Sequence, residues 1–344
     1  MRMRQSNRPA SLAVGCVMVV MPAAVRAELI YGITHSISDA PQTLVRFDSA
    51  APNAVTTVGP LTGMPAGHVA IAMDFRPATG QLYIGAAGPD DSAGYVAQPY
   101  TVNLGTGAMT PFGNPFYPPE AGVGSPSFDF DPVRDELRIL TTPTDAQMTN
   151  TRFDPVTFDM ISVDTPLAFD PHLPVAEFNP PFAIGAAYSN NVAGATSTTL
   201  YAYEMQSDFV VTVGGIDGNP SADGGLLHFV GESGFVVPPN VNTFGFDISG
   251  ATGVAYVSTF VEELFGMRLF TMNLETGAMT EMGEIIAPGG VAVVDISVAV
   301  PEPTSLIMAA TVASLNLLRR RRPRRRRRRP PAAVVVVPVR MPDP

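Results

Sequence analysis

Four aspartates stand at matching places in this chain. Asp74, Asp129 and Asp247 each sit in a short apolar run, nine residues before Tyr83, Arg138 and Tyr256 respectively, and Asp295 holds the same place in the run VAVVDISV. Carboxylates repeated in this way support three kinds of chemistry. Each can accept hydrogen bonds from the amides of a neighbouring turn. A ring of them can hold a cation, Ca2+ above all, whose ligands are hard oxygens. Two of them can act as acid and base in glycoside cleavage. A denser acidic stretch, DFDPVRDE, supplies Asp129, Asp131, Asp135 and Glu136 as a second set of candidate Ca2+ ligands. It lacks the Gly and the distal Glu of an EF-hand, and Arg134 within it and Arg138 just beyond it neutralise part of its charge.

Other chemistries find little support. The four histidines, His35, His68, His172 and His228, show no metal-ligand spacing, and no HExxH occurs. No GxSxG elbow is present. The single cysteine, Cys16, lies in the N-terminal apolar stretch, so the body has no thiol for disulfides, zinc or catalysis. The loop NPFYPPE carries Phe116 and Tyr117 between prolines, either as packed residues or as a surface on which a sugar stacks. No catalytic residue is assigned beyond the four repeated aspartates, and no cofactor beyond Ca2+.

The elements that position these aspartates are short strands. IAMDFRP, QLYIGAA, PYTVNL and AMTPFG read as four strands in succession, with alternating apolar residues and turn signals and no helical period. The unit repeats. YTVNLGTGAMT at 100–110 returns as FTMNLETGAMT at 270–280 with eight of eleven positions identical. Asn103, Asp154 and Asn273 enter equivalent hairpins, with Asp48 in the same slot, and such side chains accept bonds from turn amides. The spacing from Asp154 to Asn273 leaves room for one more unit. AIGAAYSNNVAGATSTTLYAYEM, continued through FVVTVGG and LLHFVGE, fills it, with a longer first turn and no Asp.

The ends complete the pattern. Leu29–Thr34 reads as a second strand without a first, and Val291–Val298 as a first strand without a second. Paired, they make one unit and close a ring. The expectation is an all-β fold: a β-propeller of five four-stranded blades, with six blades as the alternative count. In such a ring the first strand of each blade is innermost, so the four aspartates approach the central channel. With DFRPATGQLY, FDFDP, GAAYSNNVAGA and the NLxTGAMT phrases on the page, the body from Leu29 to about Ile285 resembles the secreted bacterial domain of unknown function 4394. That resemblance implies an exported, propeller-like repeat domain. It carries no catalytic residues.

The two ends read as addresses. Residues 1–27 have an Arg-bearing start, an apolar run and Val25-Arg26-Ala27, which predicts a secretory signal peptide cleaved after Ala27 and export through the Sec route. Residues 300–322 carry Pro301-Glu302-Pro303, the apolar span Leu306–Leu318 and an Arg cluster. The span has thirteen residues, short of the ~20 that comfortably cross a bilayer. This order resembles the PEP-CTERM sorting signal, which implies a transient membrane anchor, cleavage near Pro301-Glu302-Pro303 by an exosortase-type protease, and a final place at the cell surface or in the medium. Residues 323–344 form an Arg/Pro-rich tail of disordered composition. Residues 28–299 are left as the repeat domain.

Between the two Arg-rich ends, six Arg face 29 acidic residues, a net charge of about −23. Such a body repels nucleic acid and anionic membranes. Two functions remain: a non-enzymatic binding or matrix module for an extracellular polysaccharide or another surface protein, or an extracellular glycoside hydrolase or lyase working through channel carboxylates.

Overall fold

The computed structural model describes residues 27–35, 41–90, 95–116, 126–141, 148–171, 180–238, 243–261 and 266–300. Its body is a ring of five β-sheets. The first blade joins the two ends of the domain: β1 (Leu29–Thr34), β2 (Thr43–Asp48) and β3 (Ala51–Pro60) are preceded in space by the last strand, β21 (Val293–Val298). The second blade runs β4 (Val69–Arg76), β5 (Gln81–Pro89), β6 (Tyr95–Val102) and β7 (Met109–Pro111). The third runs β8 (Ser127–Asp131), β9 (Glu136–Thr141), β10 (Thr149–Phe153) and β11 (Met160–Val163). The fourth has β13 (Ala183–Tyr188), β14 (Leu200–Glu204), β15 (Phe209–Val213) and β16 (Leu226–Glu232), with the short β12 (Ala168–Phe169) added in parallel at its outer edge. The fifth runs β17 (Phe244–Ile248), β18 (Ala255–Val261), β19 (Gly266–Met272) and β20 (Met279–Glu284).

The fold is therefore a five-bladed propeller, and the six-blade count is set aside. Strands β21, β4, β8, β13 and β17 each touch two others of this set and line the channel. The ring closes where β1 pairs antiparallel with β21, Ile30 opposite Val298 and Tyr31 opposite Ser297. Both termini contribute to one sheet, so neither blade edge can peel away without breaking a ladder.

Alternation along the strands sends apolar side chains into the gaps between blades. Five buried clusters result, one at each junction. Tyr31, Ile33 and Leu44 meet Phe75, Leu82 and Ile84 between the first and second blades. Tyr83 and Phe128, Phe130, Phe153 fill the next gap. Phe116 is half-buried there, edge-on to Phe153 at 5.3 Å. It is thus packed, and Tyr117 lies outside the described residues. The ring leaves no single core; stability is distributed over five sheet-to-sheet contacts.

The repeated phrase is the hairpin between the two outer strands of a blade. Asn103 Oδ1 accepts the Gly105 amide at 2.9 Å, and Asn273 Oδ1 accepts those of Glu275 and Thr276 at 2.8 and 3.1 Å. Gly107 and Gly277 close the turns at φ 76° and 78°. Each tip then lies directly on the backbone of the preceding blade: a Cβ on Gly59 would come 2.1 Å from Thr106 O, and one on Gly231 would come 1.8 Å from Thr276 O. The glycine is needed on both sides of this contact. Gly231→Ala is expected to cost about 2–3 kcal/mol, because backbone must move to admit the methyl group. Gly224→Ala, where an added Cβ meets nothing within 4 Å, is the control, expected within about 0.5 kcal/mol of the parent. Urea denaturation of both variants checks this.

Glu28 begins the described body and latches the ring. Its buried carboxylate accepts the hydroxyls of Ser249, of Thr252 at 2.9 Å and of Tyr256 at 3.0 Å, all on the fifth blade. Ala27, the expected cleavage position, is exposed immediately before it. Among the described residues no helix is long and apolar enough to cross a membrane. The signal peptide, the apolar span Leu306–Leu318 and Pro301-Glu302-Pro303 lie outside the described residues.

Candidate functional site

Four of the five innermost strands place an aspartate in the channel wall. Asp74 lies on β4, Asp129 on β8, Asp247 on β17 and Asp295 on β21. On β13 the corresponding residue is Ala187, opposite Tyr201 as Asp74 is opposite Tyr83 and Asp247 opposite Tyr256. The innermost strand of a blade has no ladder partner on its channel side, so its outward amides need other acceptors. The aspartates supply them, and they do so across blades. Asp74 Oδ2 accepts the Phe130 amide at 3.0 Å, Asp129 Oδ1 that of Tyr188 at 3.1 Å, Asp247 Oδ2 that of Val298 at 2.6 Å and Asp295 Oδ2 that of Met73 at 2.8 Å. Asp74, Asp247 and Asp295 also accept the amide of the residue that follows them. Each carboxyl thus ties its own strand to the next blade. Bonding to a turn amide, one of the expectations from sequence, is not what these side chains do.

The arrangement concentrates carboxyls. One oxygen from each of Asp74, Asp129 and Asp247 lies within 4.8 Å of the others, and the three residues are at most 3% exposed. Asp295 lies deep in the ring but keeps part of its surface in contact with solvent. Among the described residues no Arg pairs with any of the four. Burial raises the Asp74 carboxyl well above the usual carboxylate range, and the charge of Asp247 adds to the effect. Burial and then the charges of Asp74 and Asp247 do the same to Asp129. Burial pushes Asp247 up to about 6 and raises Asp295 well above its ordinary value.

Ser297, which sequence reading missed, sits at the centre. Its Oγ lies 3.0 Å from Asp74 Oδ1 and 2.8 Å from Asp247 Oδ2, and it accepts the Phe75 amide at 3.3 Å. A hydroxyl has one proton to give. Ser297 can therefore donate to only one of the two carboxyls at a time. The only trace in sequence is that Ser297 follows Asp295 by two, which puts both on one face of β21.

The second candidate set does not assemble into one site. Asp129 belongs to the channel. Asp131 Oδ1 accepts the amides of Val133 and Arg134. Asp135 pairs with Arg76 of the second blade at 2.5 Å, and Glu136 with Arg152 at 2.8 Å. The tight turn from β8 to β9 points these side chains in different directions. Of the histidines, His68 Nε2 lies 3.2 Å from Pro89 O and His228 Nδ1 3.5 Å from Asp170, while His172 lies outside the described residues.

Arg138 marks where the repeat breaks. It stands opposite Asp129 on the neighbouring strand, where the second and fifth blades have Tyr. Its side chain, 2% exposed, reaches Asp164 at 3.0 Å, Asp223 at 2.6 Å and Tyr188 Oη at 2.6 Å, and donates to Asn150 Oδ1. Arg152 grips Asp164 at 2.7 and 2.9 Å, and Arg134 grips Asp223 at 2.8 and 2.9 Å. These guanidiniums, together with the burial that opposes them, leave Asp223 at about 2.

Comparison with known proteins adds the following. No curated protein matches the sequence significantly. Among solved structures, TolB from Acinetobacter baumannii is 11% identical with a TM-score of 0.40, covering 75% of this chain and 53% of its own, so the chain spans about half the length of TolB. A GH43_1 enzyme from Xanthomonas citri is 13% identical with a TM-score of 0.44, covering 77% of this chain and 90% of its own. A protein of unknown function from Dyadobacter fermentans is 12% identical with a TM-score of 0.44, covering 72% and 73%. These likenesses carry no statement about activity. Residues 43–297, from β2 to the end of the closing strand, match the model of one family. The chain, with its five blades and its ring of channel aspartates, belongs to the family described as domain of unknown function 4394.

Proposed function

We propose that the chain is an exported propeller that binds and does not cleave: a surface-held or released module for an extracellular polysaccharide or another surface protein. The observation that carries this reading is the commitment of the channel carboxyls. A glycosidase needs two carboxyls flanking a space that a sugar can enter. Here the close ones are buried and already accept backbone amides of the adjacent blade. A rigid disc whose chemistry is left to its loops is suited to binding. The test is a glycan array probed with the purified full-length chain, with and without Ca2+, alongside an assay for reducing ends on the same glycans. Retention without new reducing ends supports the reading; release of reducing ends sinks it.

The spacing of Asp74, Asp129 and Asp247 favours a further element, a divalent cation held in place of the channel protons. Hard carboxylate oxygens from three blades suit Ca2+, and a cation bound only by the folded ring stabilises it by mass action. Millimolar Ca2+ is expected to raise the melting temperature at pH 8 by several degrees, reversed by EDTA. No shift in a thermal melt removes the cation. The route to the surface is likewise proposed to run through exosortase-type processing. Alanines in place of Pro301-Glu302-Pro303 are expected to trap the chain in the membrane fraction; unchanged release into the medium refutes that route.

A further inference from the structure

The junction of the third and fourth blades differs from the other four, and the difference is concentrated at one pocket. The first turn of the fourth blade is long, running from Ser189 to Thr199, and short 3-10 turns at Ile216–Gly218 and Ala222–Gly224 replace the simple hairpin between β15 and β16. Three of the six arginines of the body, Arg134, Arg138 and Arg152, converge here. Between these segments lies a cavity of about 160 Å3.

Its lining is of two kinds. Leu200 and Val213, both buried, give it apolar surface. The rest of the lining carries carboxylates, two guanidiniums and hydroxyls: Asp131, Asp217, Arg134, Arg138 and Ser197 among them. The polar groups are held in place beforehand. Asp131 Oδ1 is tied to two turn amides, while Oδ2 stands 4.0 Å from Arg134 Nε. The Arg134 guanidinium is fixed by Asp223 and, at 3.0 Å, by Ser221 Oγ. Asp217 is exposed at the rim in a left-handed conformation, φ 55°, with its amide bonded to Thr199 Oγ1 at 2.8 Å.

We propose that this pocket binds one neutral sugar residue of a glycan. The inference rests on the binding-module reading above and supplies its site and ligand class. A sugar ring presents apolar C–H faces and hydroxyls that both donate and accept. Apolar side chains beside fixed carboxylate acceptors and fixed guanidinium donors match that mixture. The volume is of the size a single sugar ring needs. Asp131, Asp164, Asp217 and Asp223 with Glu136 outnumber the three arginines, so anionic sugars are repelled.

The experiment is ligand-observed NMR and calorimetry on the purified full-length chain with a panel of neutral methyl hexosides and pentosides, and their uronate counterparts. Wild type is expected to bind at least one neutral glycoside. Asp217→Asn, which tolerates the left-handed backbone, is expected to weaken binding at least tenfold. Thr196→Trp, placed at an exposed rim position, is expected to abolish it with an unchanged melting curve. Binding of uronates alone overturns the ligand class. Neutral-sugar binding untouched by both variants overturns the pocket while leaving the binding module standing. Absence of binding to any glycoside and to the glycan array overturns the carbohydrate reading itself.

Discussion

Asp74→Ala is expected to destabilise the propeller by about 3–5 kcal/mol at pH 5, because it removes three buried hydrogen bonds at once and leaves one buried amide without an acceptor. The Phe130 amide at 3.0 Å loses its acceptor outright, the Phe75 amide loses its 2.7 Å bond and keeps only the longer one to Ser297 Oγ at 3.3 Å, and the Ser297 hydroxyl is left with Asp247 alone. The Phe130 bond is the one that ties the second blade to the third. The loss is smaller at pH 8, where wild type already bears the cost of ionising a buried carboxyl beside Asp247. The sign follows from linkage. A carboxyl raised in the folded state binds its proton more tightly there than in the unfolded chain, so its contribution is complete below the unfolded value and is lost as pH rises through the folded value. For Asp247 that loss runs from about 4 to about 6, and Asp74 and Asp129, raised by burial and by neighbouring carboxyl charge, act in the same direction. Asp223 acts in the opposite direction. Its contribution is present above its unfolded value and is lost as pH falls toward about 2. Stability in EDTA should therefore peak in mild acid and decline toward pH 8. Asp74→Asn keeps an acceptor and removes the ionisable group, so it should gain on wild type as pH rises. Urea denaturation at pH 5 and pH 8 measures all three proteins. A cost below about 1 kcal/mol for Asp74→Ala at pH 5, or a greater relative loss for Asp74→Asn at pH 8 than at pH 5, contradicts the channel-staple account.

Arg138→Met should cost about 3–5 kcal/mol, the range for removing one partner from a buried ionic network. Four side chains lose a donor together: Asp164, Asp223, Asn150 and Tyr188. The lower part of the range is favoured, since Arg152 still holds Asp164 and Arg134 still holds Asp223. Adding Asp164→Leu should recover part of the loss by removing a carboxylate left in excess, and a double-mutant cycle in urea reads that coupling directly. Strict additivity of the two substitutions would mean that Arg138 and Asp164 do not act together. Arg138 also fixes Tyr188, which lines the proposed sugar pocket. The variant should therefore weaken glycoside binding even where it remains folded.

The blades were legible in the sequence because a hairpin is decided locally. Asn103 and Asn273 bond amides two or three residues away, and Gly107 and Gly277 supply the conformation that closes the turn. Such contacts involve a handful of dihedral angles and repeat wherever the phrase repeats, so the phrase counted the units. The fourth blade could be placed without its Asp because its strands keep the alternation. Ring closure was legible too, as two half-units at the ends have one way to be completed.

What the channel aspartates bond was decided only by the tertiary structure. Asp74 meets Phe130 and Asp247 meets Val298 because the ring brings each innermost strand against the next; no local pattern names a partner some fifty residues away. The same holds for DFDPVRDE, which reads as one loop but is divided by its own turn between Arg76 of the preceding blade, Arg152 of its own and the channel. Arg138 and Asp223 come from different blades, and the pocket beside them exists only once those blades pack. Sequence alone thus determined the four-strand repeat, the strand order and the positions of the buried carboxyls, which depend on short-range periodicity, and it favoured five blades over six. The partners of those carboxyls and the one junction that departs from the repeat depend on how the blades stack around the axis, and that is set by packing across the ring.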